Sequence, residues 1–233
     1  MLSRRAWFAA IGTTTAAIAA GCGLEKKAAA PTEVTHPVIT GADQALAELL
    51  DGNRRFVTAK RTYPDQSIRV RSALSASQKP FAVILACSDS RVPPEELFDQ
   101  GLGDLFVIRL AGNIVDQAVR GSIEYAVEEF ATPLIMVLGH QNCGAVAATL
   151  KALQPPFTKP AGEVGTLVAA ITPAVESVRG RPGDLLDNAV RANATQSADQ
   201  IRTTSELKAP LDSGAVKLVV GYYRLQDGAV SVI

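Results

Sequence analysis

The stretch FAVILACSDSRV, residues 81–92, changes character halfway along its length. Its first half is a continuous apolar run rich in β-forming residues, and it follows the helix-breaking Pro80. Such a run predicts a strand buried on both faces, which is typical of parallel sheets. The second half carries a thiol, a carboxylate and a guanidinium on alternate residues, Cys87, Asp89 and Arg91. Because side chains alternate along an extended chain, these three groups are expected to share one face.

Apolar runs and helical spacings alternate on both sides of this stretch. Further strands are predicted at 105–112, 133–140 and 216–233, the last with a hairpin at Asp227-Gly228. Helices are predicted at 42–60, 122–131, 143–153, 163–178 and 184–206, with another starting at Pro93-Pro94. This alternation predicts an α/β fold, with a mostly parallel central sheet of about four strands plus a C-terminal hairpin, flanked by helices.

Length and composition are those of a protein with one globular domain. The chain has 233 residues, 47% of them hydrophobic, and its 23 basic residues balance 23 acidic ones. This balance, without a basic stripe, gives no indication of nucleic-acid binding. We interpret residues 1–22 as an export signal, residues 23–41 as a linker and residues 42–233 as the folded domain.

The proposed export signal opens with Ser3-Arg4-Arg5 before a mildly apolar segment rich in Ala and Thr. Paired arginines before an aromatic residue resemble the twin-arginine type of signal. The protein is therefore expected in the periplasm or anchored on the outer side of the cytoplasmic membrane. Ala19 to Cys22 resembles a lipoprotein processing site, which would place a lipid anchor on Cys22. Cleavage after Ala19 is the alternative.

A second set of polar residues follows the predicted strand at 133–140. His140 ends this strand and Cys143 follows three residues later. The carboxyl ends of parallel strands meet at one edge of a sheet, so these residues are expected near Cys87 and Asp89. Two thiolates, an imidazole and a carboxylate are ligands that Zn²⁺ accepts in tetrahedral geometry.

Each residue of this set also has a simpler interpretation. Cys87 and Cys143 could form a disulfide, because an exported protein meets an oxidising compartment. His140 could be a hydrogen-bonded core residue, and Asp89 with Arg91 a surface ion pair that contributes little.

Four motifs resemble those of the β-class carbonic anhydrases. They are ACSDSRV (86–92), GDLFVIRLAGNIV (103–115), GSIEYAV (121–127) and LGHQNCGAV (138–146), and the resemblance runs from about residue 42 to the C-terminus. It implies a carbonate dehydratase with one Zn²⁺ per subunit that interconverts CO₂ and bicarbonate. It also implies a homodimer or a higher multiple of dimers, with residues 42–60 packed on the partner subunit.

The predicted ligand set raises a mechanistic problem, because four protein ligands leave a tetrahedral zinc with no position for water. We expect Asp89 to leave the metal and pair with Arg91 in the active state. A water would then take the fourth position, ionise with a pKa of about 7 and attack CO₂ as zinc-bound hydroxide.

The resemblance also assigns a substrate pocket. It implies that Gln78 hydrogen-bonds the substrate and that Phe106, Ala111 and Tyr125 form apolar walls, some of them reaching the zinc of the neighbouring subunit. Ordinary packing is the alternative for these residues. Two other functions share the same motifs: hydrolysis of CS₂ or COS, and non-catalytic zinc binding. A redox-active Cys87–Cys143 pair is the third alternative.

Overall fold

Helices and strands alternate along the chain in the computed structural model, which describes residues 38–157 and 160–233. The helices of this part are α1 (Ala42–Val57), α2 (Ile68–Ala73), α3 (Pro94–Leu97), α4 (Gln117–Phe130), α5 (Gly144–Ala152), α6 (Val164–Ser177), α7 (Leu185–Arg202) and α8 (Ser205–Asp212). The strands are β1 (Ala82–Ala86), β2 (Leu105–Arg109), β3 (Leu134–His140), β4 (Lys217–Tyr223) and β5 (Val230–Val232). A 3₁₀ turn, Ala111–Asn113, follows β2.

The strands of the described chain form one sheet in the order β2-β1-β3-β4-β5. The first four are parallel, and β5 returns antiparallel to β4 as the second strand of the predicted hairpin. The predicted α/β architecture is therefore confirmed. Ala86 at the end of β1 pairs with Leu138 of β3. As a consequence, the residues that follow β1 lie beside the last residues of β3.

The two central strands are buried over their whole length, as their continuous apolar runs predict. One face of the sheet packs against α1 and α3, and the other against α4, α7 and α8. The first face contributes Ala82, Ile84, Ala86, Leu134, Met136 and Leu138. The second contributes Val83, Leu85, Ile135 and Val137. A further apolar cluster, formed with α5, α6 and α7, lies at the carboxyl end of the sheet around Cys87 and Cys143.

Strand β2 ends three residues earlier than predicted, at Arg109. The backbone turns at Gly112 and Asn113, whose φ angles of 74° and 44° lie in the left-handed region. Extended structure cannot continue through such residues, and glycine is the residue that adopts this region at least cost. The end of β2 therefore becomes a tight turn beside the tip of β1.

Two predicted helices also have different bounds. Helix α4 begins at Gln117 instead of 122, because the side chain of Asp116 caps it by accepting from the Val119 N–H at 2.8 Å. The helix predicted over 184–206 is confirmed as α7 but ends four residues earlier, at Arg202, and α8 begins after Thr204, whose ψ of 125° is extended.

The predicted export signal and most of the predicted linker lie outside the described residues. At the described end of the linker, Ile39 packs against the core on the α1 face of the sheet. Residues 38–157 and 160–233 belong to one compact unit. Within them, every helix falls short of the length or the hydropathy that crossing a bilayer requires.

Candidate metal centre

Three potential metal ligands meet where β1 and β3 end. Cys87 follows β1, His140 is the last residue of β3, and Cys143 precedes α5. One ligand atom from each residue lies within 4.8 Å of the other two, and all three side chains are buried. The turn between His140 and Cys143 passes through Asn142 at a φ of 54°, and asparagine enters this region more readily than most residues.

The imidazole of His140 presents one nitrogen to this group. Its Nδ1 lies 3.0 Å from the carbonyl oxygen of Gln141, so this nitrogen carries the proton and donates it. Among the described residues no hydrogen-bond partner lies near the buried Nε2. A buried polar atom without a partner is costly, and a metal ion removes that cost. Two sulfurs and this nitrogen are donors that suit Zn²⁺.

The two thiols are buried and form no disulfide. The pKa of Cys87 is lowered from its usual value, chiefly because the thiol of Cys143 donates a hydrogen bond to its sulfur. The pKa of Cys143 is raised, because its proton is held in this bond and burial disfavours a second charge. A divalent cation would ionise both sulfurs, since a metal deprotonates the thiols that coordinate it.

Asp89 lies at the edge of this group and is bound to Arg91. The guanidinium donates to both carboxylate oxygens, from Nε at 2.9 Å and from Nη2 at 2.7 Å. These bonds hold the pKa of Asp89 well below its usual value, although burial acts in the opposite direction. Asp89 Oδ2 remains 4.0 Å from His140 Nε2. Of the four predicted ligands, the structure thus gathers Cys87, His140 and Cys143 and places Asp89 beside them on Arg91.

Two residues that the sequence analysis did not single out hold the tip of β1. Arg109 donates from Nε to the carbonyl of Cys87 at 3.0 Å and from Nη2 to that of Asp89 at 2.6 Å. The N–H of Gly112 donates to the sulfur of Cys87 at 3.2 Å. The signal for Arg109 was present, because a lone charge in the apolar run LFVIRLAG requires a partner. The carbonyl partners could not be read from the sequence.

The predicted substrate pocket is divided in two. Ala111 lies in the 3₁₀ turn, one residue before the Gly112 that contacts Cys87. Phe106 pairs with Val83, four residues before Cys87, which is about 13 Å away along the strands. Gln78 and Tyr125 line a surface cavity of about 540 Å³ with no ligand residue in its wall. Within one chain, Gln78, Phe106 and Tyr125 are therefore not brought to the metal ligands.

Known proteins share this arrangement of motifs. Residues 82–230 match the carbonic anhydrase family model. The carbonic anhydrase of Mycolicibacterium smegmatis is 45% identical over 188 residues, which cover 79% of this chain and 89% of that protein. Carbonic anhydrase 2 of Mycobacterium tuberculosis is 42% identical over 181 residues, covering 77% and 87%. The solved structure of the β-carbonic anhydrase CcaA superposes with a TM-score of 0.63 at 26% identity, covering 81% and 87% of the two chains.

Proposed function

This chain belongs to the carbonic anhydrase family, β class, and from that premise we propose that it hydrates CO₂ with a Zn²⁺ held by Cys87, His140 and Cys143. The observation that supports the metal most directly is the buried Nε2 of His140, which makes no hydrogen bond among the described residues and lies within 4.8 Å of the sulfurs of Cys87 and Cys143. One nitrogen and two sulfurs are ligands that suit Zn²⁺.

When bound, Zn²⁺ supplies Lewis-acid chemistry that makes water a nucleophile near neutral pH. Asp89 would accept a hydrogen bond from the attacking water and orient it toward CO₂. Arg91 would keep this carboxylate ionised and away from the ligand group, because its two parallel bonds fix both oxygens. A return of Asp89 to the metal would block the site. Asp89 is thus proposed as both a catalytic residue and a reversible fourth ligand.

The first experiment measures zinc content and stopped-flow CO₂ hydration on the full chain. We expect about one zinc per subunit and rapid hydration. Arg91→Ala should keep the zinc and lose about 100-fold in hydration rate, as expected when preorganised charge is removed from a site. A zinc-loaded wild-type chain that hydrates no CO₂ would contradict the catalytic proposal. A metal-free chain with a Cys87–Cys143 disulfide would contradict the zinc proposal.

We also propose a homodimer, or a multiple of it, in which Gln78, Phe106 and Tyr125 complete the pocket of a second subunit. Two observations support this arrangement. Tyr125 is 51% exposed, although its ring lies at a tilt to that of Phe106 and edge-to-face with that of Phe130. Strand β2 lies at an edge of the sheet with all of its residues only partly buried. An apolar surface and an open strand edge are both suited to a second copy.

For the N-terminal segment we propose export by the twin-arginine route, on the sequence pattern alone. Such export would let the thiols bind metal in a reducing compartment before they reach an oxidising one. Replacing Arg4 and Arg5 by lysine should leave the enzyme in the cytoplasm, measured by cell fractionation. Unchanged export of the double variant would disprove the proposal. Labelling with a radioactive fatty acid would decide whether Cys22 is lipidated.

A further inference from the structure

Helix α7 approaches the end of β3 closely. Gly139, the residue before His140, faces this helix, and a Cβ at that position would lie 3.1 Å from the Cβ of Ala194. Glycine permits this approach because it has no side chain. The close packing brings the middle of α7 to the carboxyl end of the sheet, beside the 3₁₀ turn at 111–113.

Two side chains of α7 bind this turn. Asn193 donates from Nδ2 to the carbonyl of Gly112 at 2.7 Å, and Ser197 donates from Oγ to the carbonyl of Asn113 at 2.9 Å. The two residues are four apart and therefore lie on one face of the helix. Each is 1% exposed. The carbonyls of Gly112 and Asn113 are thus each bonded to a side chain from successive helical turns of α7.

Asn193 is an unusual residue to find at a buried position. Within the described chain, its Oδ1 has no hydrogen-bond partner. A leucine would remove this unpaired oxygen, but it would leave the buried carbonyl of Gly112 without its donor. What the amide provides is the bond to Gly112.

The two bonds from α7 act on a turn with an uncommon backbone conformation. Gly112 and Asn113 are both left-handed, a region that glycine and asparagine enter more readily than most residues, and the bonds hold their carbonyls in place. The position of Gly112 matters because its N–H is the group that donates to the sulfur of Cys87. Its carbonyl is held by Asn193, so the glycine connects the helix to the proposed metal ligand.

We propose that Asn193 and Ser197 are positioning residues that hold the Gly112 N–H against Cys87 and so set how that thiolate binds the metal. The proposal rests on the zinc site proposed above. A hydrogen bond to a thiolate orients its lone pairs and withdraws charge from the sulfur. Partners of this kind, one step removed from the metal, commonly affect metal affinity by about 10- to 100-fold. Among the described residues, neither Asn193 nor Ser197 contacts Asp89 or Arg91. Their effect on metal binding would therefore pass through the sulfur of Cys87.

The test uses the full chain with Co²⁺ in place of Zn²⁺, because cobalt reports on its thiolate ligands through a charge-transfer band. Asn193→Leu removes the donor and keeps the same number of side-chain heavy atoms with the same branching. We expect about 10-fold weaker Zn²⁺ binding in competition with a chelating dye. We also expect the cobalt band to move to longer wavelength, because a thiolate without its hydrogen bond gives up charge more easily.

Asn53→Leu is the matched control. Asn53 is another buried asparagine, bonded to the carbonyls of Leu97 and Gly228 and to the N–H of Val230, and it contacts none of the metal ligands. This variant should lower the melting temperature and leave both metal readouts unchanged. If Asn193→Leu behaves in the same way, the proposal is wrong.

Ser197→Ala is the second variant, in case Asn193→Leu does not fold. It removes one hydroxyl, and we expect a band shift in the same direction with about 3-fold weaker Zn²⁺ binding, below the range for a direct partner. An unchanged band and affinity in a folded Ser197→Ala protein would count against the proposal. A wild-type chain without any cobalt band would instead reject the zinc site itself, and this inference with it.

Discussion

The three ligand atoms of Cys87, His140 and Cys143 meet within a single chain, whereas Gln78, Phe106 and Tyr125 lie toward the other end of β1 and β2 on a partly open surface. The first group is buried and its geometry is held by backbone contacts at the tips of two paired strands. The second group comes from β2, from α4 and from the segment before β1, and none of its three side chains is buried. The carboxyl ends of β1 and β3 in one chain are enough to assemble the metal ligands. The proposed pocket walls need the surface of a second subunit opposite them.

The largest expected effect comes from removing a ligand. His140→Ala should abolish zinc binding and reduce CO₂ hydration by at least ~1000-fold, because two sulfurs alone do not provide the three protein ligands of a catalytic zinc. Elemental analysis and stopped-flow hydration measure both effects. If the variant retains one zinc per subunit, the ligand group is wrongly assigned.

The ligand end of the molecule could be predicted from the sequence because each step depends on local pattern. Continuous apolar runs mark β1 and β3, and parallel pairing brings their carboxyl ends together. The residues at and after these ends are two cysteines, a histidine and an aspartate. Residues of these types have few common roles at the carboxyl end of a parallel sheet. The spacing of Asp89 and Arg91 likewise predicted their pairing, which the structure contains as a bidentate ion pair.

The support around these ligands could not be predicted. Asn193 and Ser197 belong to a helix whose other polar residues are exposed or partly exposed, and their partners are backbone carbonyls that no residue type marks. The left-handed turn at Gly112 and Asn113 depends on those same contacts. The helix predicted over 184–206 is interrupted near Thr204. A threonine, considered by itself, is compatible with a continuous helix and with an extended break. Each of these features is decided by packing between segments far apart in the chain.

The position of the pocket residues is also a matter of tertiary structure. Motif resemblance assigned Gln78, Phe106 and Tyr125 to one site with Cys87. The pairing of Phe106 with Val83 separates them within a chain. Whether a partner restores the contact can be decided by complementation between two defective chains.

The complementation experiment mixes His140→Ala chains with Gln78→Ala/Tyr125→Ala chains by co-expression. Alone, the first should be inactive and the second about 10-fold slower than wild type, since only packing and orientation of the substrate are lost. If the walls act across subunits, each mixed dimer has one intact site. Random pairing in a two-fold symmetric dimer then gives about a quarter of wild-type activity or slightly more.

The same mixture gives the opposite result if the walls serve their own chain. Each mixed dimer would then combine one site without metal and one site without walls, and activity would not exceed that of the double variant. Differently tagged chains, purified in sequence, isolate the mixed dimers for this measurement. Failure to isolate any mixed or homogeneous dimer would contradict the oligomeric proposal.

Helix α4 runs between the metal ligands and the pocket walls. Removing its N-terminal cap therefore tests how far these two regions are independent. The helix begins shortly after the 111–113 turn and carries Tyr125 toward its other end. Asp116→Ala removes the cap on the Val119 N–H and should cost about 1 kcal/mol of folding free energy. This corresponds to a fall in melting temperature of about 2–4 °C for a domain of this size. Asp116→Asn, which keeps a capping oxygen, is the control.

We expect zinc content and hydration rate to remain at wild-type levels in Asp116→Ala. Fraying at a lost cap is confined to the first turn, because Ile123 and Ala126 are fully buried against the sheet and hold the rest of the helix in place. A loss of zinc would mean that the start of α4 also supports the turn that contacts Cys87. A loss of hydration with zinc retained would mean that the cap positions Tyr125. Either result would show that the metal ligands and the pocket walls are coupled through this helix, and that the separation between them is smaller than their positions in the fold suggest.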